Sequence, residues 1–125
     1  MKALLLENNC NITFMNIKVA WNGTGHNGLF IDVMTTDSPG RVFSFNVKDP
    51  ACIAYGGVNF KIKFSLESMG KPTRIFLPFD GFSPEFRGRQ VQVDPLAVDK
   101  IVEISFMAMK PAGRFSLQVL KIGFY

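Results

Sequence analysis

Between Asn59 and Leu66 the chain alternates without a break, with Phe60, Ile62, Phe64 and Leu66 apolar and Lys61, Lys63 and Ser65 polar between them. A helix would scatter those lysines around its circumference. A strand places every apolar side chain on one face and every polar one on the other. The same period recurs along the chain. From Ile12 to Trp21, Met15, Ile17, Val19 and Trp21 share one face, with Asn16 and Lys18 on the other. Leu29 to Met34 sets Leu29, Ile31 and Val33 against Asp32, and Arg41 to Lys48 sets Phe43, Phe45 and Val47 against Ser44, Asn46 and Lys48. Thr73 to Phe79, Lys100 to Met109 and Arg114 to Phe124 complete seven expected strands, separated by turns such as Thr35 to Gly40 and Lys110-Pro111-Ala112-Gly113. No stretch of useful length has a helical period, and Leu96 to Asp99 offers one short turn. The expected fold is all-β, an antiparallel β-sandwich that is jelly-roll-like or immunoglobulin-like.

At 125 residues, with no internal repeat or linker, the chain reads as one domain over 1–125 that buries about two-thirds of its surface. Lys and Arg number 14 against 10 Asp and Glu, a formal net charge of +4. The bases alternate along the expected strands rather than forming the run of like charges that marks a nucleic-acid or lipid-binding tail, so they read as solvated faces and no nucleic-acid partner is expected. No apolar run approaches the roughly 20 residues that span a bilayer. Met1 to Leu6 is too short an apolar segment for a signal peptide, and no targeting signal is visible, which by itself points to the cytoplasm. Cys10 and Cys52 allow one bridge at most and are expected as reduced, buried thiols. Asn11-Ile12-Thr13 and Asn22-Gly23-Thr24 are glycosylation sequons that matter only in a secreted chain.

Candidate chemistry is sparse. Gly23, Gly25 and Gly28 have the G-x-G-x-x-G spacing, but they precede a strand rather than open a helix, so a turn is expected and no cofactor. His26, the only histidine, has no second His for a metal site and no acid close in sequence for a catalytic triad, and the two cysteines lack zinc-ligand spacing. Asp80 and Glu85 flank Phe82 in the manner of an acid and base pair, but Arg87 and Arg89 are close enough in sequence to pair with them and hold both ionised. Salt bridges within the loop are therefore expected, and a non-enzyme.

The long connection from Asp80 to Pro95 is the most distinctive part of the chain. Loops of this length inside a compact domain are usually functional or have a structure of their own. Asp80, Phe82, Phe86, Arg87 and Arg89 form the candidate partner-binding set, a cationic and aromatic surface suited to a protein or, less readily, a sugar. The alternative is that Phe82 and Phe86 fold back to plug one end of the sandwich.

At this loop the sequence resembles the family of complex I intermediate-associated protein 30 domains. The family's P-F-x-x-F motif is matched by Pro78-Phe79-Asp80-Gly81-Phe82, and its F-x-G-R or R-G-R motif by Phe86-Arg87-Gly88-Arg89. Leu96, Ile101-Val102-Glu103-Ile104-Ser105-Phe106 and Gly113-Arg114-Phe115-Ser116-Leu117 with Ile122 follow in the family's order, and Asn27-Gly28-Leu29 is similar to its D-G-L strand start. The resemblance covers roughly Gly28 to Phe124. It implies a galactose-binding-domain-like jelly roll without catalysis, and protein partners like those of the mitochondrial member, an assembly factor and chaperone for intermediates of NADH:ubiquinone oxidoreductase (complex I). A mitochondrial location is implied by the same route. The family's tryptophan and its D-x-x-M-G-G-x-S motif are not found at the start, the pattern of an N-terminally truncated member whose exposed sheet edge has to be paired or covered. The second expectation, from sandwich architecture alone, is a carbohydrate-binding module with Trp21, Tyr55 and Tyr125 as the available platforms.

Overall fold

The computed structural model describes residues 14–37, 39–67, 70–110 and 115–125. Cys10, the sequon at Asn11 and the turn at Pro111 lie outside the described residues. Nine strands are described: β1 (Phe14–Trp21), β2 (Gly28–Met34), β3 (Val42–Lys48), β4 (Asn59–Ser65), β5 (Thr73–Pro78), β6 (Ser83–Phe86), β7 (Arg89–Gln90), β8 (Ile101–Lys110) and β9 (Gln118–Phe124). One short helix, α1 (Pro50–Ala54), follows β3. A six-stranded sheet runs β1-β8-β3-β4-β6-β7 and a three-stranded sheet runs β5-β2-β9, and every pairing is antiparallel.

The alternating pattern places the core where the sequence puts it. Leu29, Ile31 and Val33 of β2 and Phe43, Phe45 and Val47 of β3 are completely buried between the sheets. Phenylalanines fill this space as interlocking rings: Phe43 stacks on Phe64 with centroids 5.6 Å apart, and Phe45 meets Phe106 edge-on at 5.0 Å.

Four features differ from expectation. Most of the segment expected as an irregular loop over 80–95 is a 3-10 turn, Phe79–Gly81, followed by the β6–β7 hairpin up to Gln90, and only residues 91–95 are irregular. The last strand begins at Gln118, because the backbone before it is bonded to side chains: Thr35 Oγ1 donates to the Ser116 carbonyl and Ser116 N–H donates to Asp37 Oδ2 at 3.1 Å. The short turn expected at Leu96 to Asp99 falls at Ala97 to Lys100, closed by Lys100 N–H on Ala97 O at 3.0 Å, and is not helical. Ser44, Asn46 and Ser105, on the outer face of the large sheet, are buried rather than solvated. Long side chains of neighbouring strands shield short ones on a central strand, and Lys48 and Lys61 beside them are themselves largely covered in ion pairs with Glu103 and Glu85, each at 3.4 Å.

Helix α1 depends on a side chain. Asp49 caps it, with Oδ1 accepting from Cys52 N–H at 2.9 Å, and Pro50 occupies the first helical position where a missing N–H costs nothing. The other oxygen, Oδ2, accepts from Ala97 N–H at 2.8 Å. One carboxylate thus ties α1 to the segment before β8. Cys52 is a buried free thiol, and burial pushes its pKa up to about 11.

Candidate functional site

The β6–β7 hairpin is positioned by the crossover from one sheet to the other. Pro78 ends β5, Phe79 N–H donates to Asn27 O at 3.0 Å, and the 3-10 turn closes with Phe82 N–H on Phe79 O at 3.3 Å. The chain then joins the large sheet, where β6 pairs with β4 in the register Asn59↔Glu85, Phe60↔Pro84 and Lys61↔Ser83. Two left-handed residues, Arg87 at φ 51° and Gly88 at φ 80°, make the tight reversal into β7. Two positive φ angles in succession are what a two-residue hairpin needs, and glycine adopts this conformation freely while arginine does so at a cost of about 1–3 kcal/mol. Strain of that kind is a reason to look for function at Arg87. Its guanidinium lies 5.0 Å from the centroid of the Phe86 ring.

Of the five candidate residues, Phe86, Arg87 and Arg89 come together on the hairpin, and Asp80 sits exposed on the turn before it. Phe82 goes inward: it is 8% exposed and its ring meets Phe45 edge-on at 6.2 Å. Phe86 is half-buried against the core and Arg87 and Arg89 are exposed. The expected loop salt bridges do not form among the described residues. Glu85 points across to β4 and pairs with Lys61, because period two on β6 carries it to the outer face, away from the tip. Both arginines are left without an ion-pair partner among the described residues.

The glycine-rich turn before β2 serves packing. A side chain on Gly23 would come within 2.9 Å of the Phe79 and Phe124 rings, and one on Gly28 would run into the Leu77 carbonyl oxygen across the β2–β5 pair. His26 is exposed and stacks on Phe124 at 5.2 Å. Among the described residues no group of three His, Cys, Asp or Glu side chains is placed to hold a metal ion.

Displaced pKa values lie away from the hairpin. Asp32 is held below the ordinary carboxylate range chiefly by its hydrogen bonds from Arg74, and Arg74 is raised by the same pair. For Asp49 burial pushes the carboxyl up, but the N–H groups of Ala97 and Cys52 outweigh it and the net shift is downward. The readable signal for Asp49 was the Asp-Pro pair, a helix-start signature; nothing local announced that Ala97 would share it.

One further concavity is notable. A cleft of about 370 Å3 is lined by Trp21, Asn22, Pro50, Asp99 and Lys100 among others. No helix among the described residues is long and apolar enough to cross a membrane.

Residues 9–119 match the family described as complex I intermediate-associated protein 30 (CIA30). No curated protein matches the sequence. Among solved structures, the chain is similar to PfGH50B at TM-score 0.61 and 11% identity, covering 98% of this chain and 22% of that one. An agarase, AgWH50C, is similar at TM-score 0.59 and 11% identity over 94% of this chain and 21% of that one. A family 11 carbohydrate-binding module from Clostridium thermocellum, solved with a β-1,3-1,4-mixed-linked tetrasaccharide, is similar at TM-score 0.60 and 16% identity, covering 92% of this chain and 71% of that one. The chain thus spans about a fifth of the first two proteins. At these identities the likeness shows a shared β-sandwich fold and nothing more.

Proposed function

This chain belongs to the complex I intermediate-associated protein 30 family, and from that membership we propose that it is a non-catalytic protein-interaction module for assembly intermediates of respiratory complex I in mitochondria. The observation that carries the reading is the β6–β7 hairpin. Arg87 in the two-residue turn and Arg89 at the start of β7 are exposed and free of ion-pair partners among the described residues, with Phe86 beside them. Arginine and aromatic side chains held by a scaffold are the residue types that anchor protein interfaces. The non-catalytic part rests on a complementary point. Asp32, Asp49, Cys52 and Arg74, whose pKa values are displaced, each have a structural duty in a cap, a salt bridge or the core.

Arg87→Glu with Arg89→Glu should remove the chain from complex I assembly intermediates resolved on native gels of mitochondria while leaving its fold intact, since both side chains are exposed. Unchanged co-migration of the double variant would take the hairpin out of the account.

A second reading, carbohydrate binding, has one observation in its favour: the cleft beside Trp21 combines an aromatic ring with the polar side chains of Asn22, Asp99 and Lys100. Trp21 is the only tryptophan, so its emission reports directly on that cleft. On the primary reading the emission stays constant when mixed-linked β-1,3-1,4 tetrasaccharide is added. A saturable shift, lost in Asp99→Ala, would favour the sugar instead.

A further inference from the structure

The three-stranded sheet ends on one side in β5, and there backbone and side-chain features coincide. Phe79 N–H bonds to Asn27 O. Bonded residues alternate in an antiparallel ladder, so the amides of Thr73, Ile75 and Leu77 point at β2 in the register Val33↔Thr73, Ile31↔Ile75 and Leu29↔Leu77. Those of Arg74 and Phe76 point the other way. Among the described residues no strand pairs with that edge.

The same two residues also carry the outer face. Phe76 is 57% exposed, with its ring edge-on to Tyr125 at 5.1 Å. Arg74 lies 4.3 Å from the centroid of the Phe30 ring and donates to both oxygens of Asp32, at 2.7 and 2.9 Å. Its guanidinium is therefore fixed in one plane, while its remaining N–H groups have no partner among the described residues and the side chain is 48% exposed. Pro72 and Pro78 bracket the edge, and a residue without an N–H cannot extend a ladder. Pairing is confined to about five residues, which blocks open-ended aggregation but admits one strand.

We propose that β5 accepts a fourth strand, an extended segment of a partner protein with an acidic residue beside Arg74 and an apolar residue beside Phe76, two positions apart. Main-chain bonds to the amides of Arg74 and Phe76, which no described strand pairs, supply affinity, and the period-two side chains supply selection. Charge complementarity chooses the acidic partner over a second copy of this chain. Each copy carries a net charge of +4, and antiparallel pairing of two β5 edges would bring the two Arg74 side chains into the same short interface.

The probe is a synthetic nine-residue peptide of alternating Thr and Val with Glu and Leu substituted two positions apart, titrated into the full chain by fluorescence anisotropy and by amide NMR shifts. Saturable binding is expected, with shifts concentrated at residues 73–77. Replacing the peptide's Glu by Lys, or Phe76 by Thr in the protein, should weaken binding about tenfold each. Phe76→Thr keeps a β-branched residue on an exposed position, and the peptide substitution leaves the protein untouched, so loss of fold does not confuse the result. Absence of saturable binding, or equal affinity for the Glu and Lys peptides, overturns the proposal. A wild-type dimer that Phe76→Thr dissociates overturns it in favour of a second copy. The assay does not involve Arg87 or Arg89, so its failure leaves the hairpin surface untouched.

Discussion

Phe82→Ala is expected to lower the free energy of unfolding by about 3–4 kcal/mol, a large share of the stability of a domain this size. The ring is buried against Phe45 at the point where the chain crosses between sheets. Deleting it leaves a cavity that the β4–β6 pair and the 3-10 turn, both tied by backbone bonds, are poorly able to close. Phe86→Ala, removing a half-buried ring at the rim, should cost less than half as much. Urea denaturation of the two variants separates a plug from a contact surface. A Phe82→Ala chain that unfolds at the wild-type midpoint would return Phe82 to the binding surface.

Asp49→Asn is the second large effect, about 2 kcal/mol at neutral pH. An amide can accept from Cys52 N–H, but its NH2 then faces Ala97 N–H, donor against donor, and the segment before β8 loses its tie. The effect depends on pH with a definite sign. The folded-state pKa of Asp49 is depressed, net of burial, by the N–H groups it accepts. Its contribution is therefore fully present above the unfolded value of about 4 and is lost as pH falls through the folded value. The gap between wild type and Asp49→Asn should be widest near pH 7 and narrow below about pH 4. A gap unchanged between pH 7 and pH 3 would show that the charge on Asp49 is not what holds the segment.

Particular residues show why some of this was legible and some was not. Phe60, Ile62 and Phe64 could be placed on one face from spacing alone, because a strand's side-chain period is independent of which strand lies beside it. Glu85 could not be assigned a partner that way. Its neighbours in sequence are Arg87 and Arg89, yet β6 pairs with β4 and turns it toward Lys61, some two dozen positions earlier in the chain. Phe82 and Phe86 looked equivalent in the sequence, and the crossover separates them by turning one into the core and leaving the other at the rim. Asp49 carried a local cap signal that marks α1, while its second bond, to Ala97, spans 48 positions and has no local trace.

By itself, the sequence determined an all-β fold, the inward sets of β2, β3 and β4 and the family, because period-two hydrophobicity and short motifs are properties of neighbouring residues. The tertiary structure alone decided which strands adjoin, and with that the fate of everything between them. It turned part of an apparent loop into the β6–β7 hairpin and, among the described residues, left Arg87 and Arg89 without an ion-pair partner and the β5 edge open beside Phe76. Those outcomes depend on pairings between segments far apart in the chain, which no local pattern encodes.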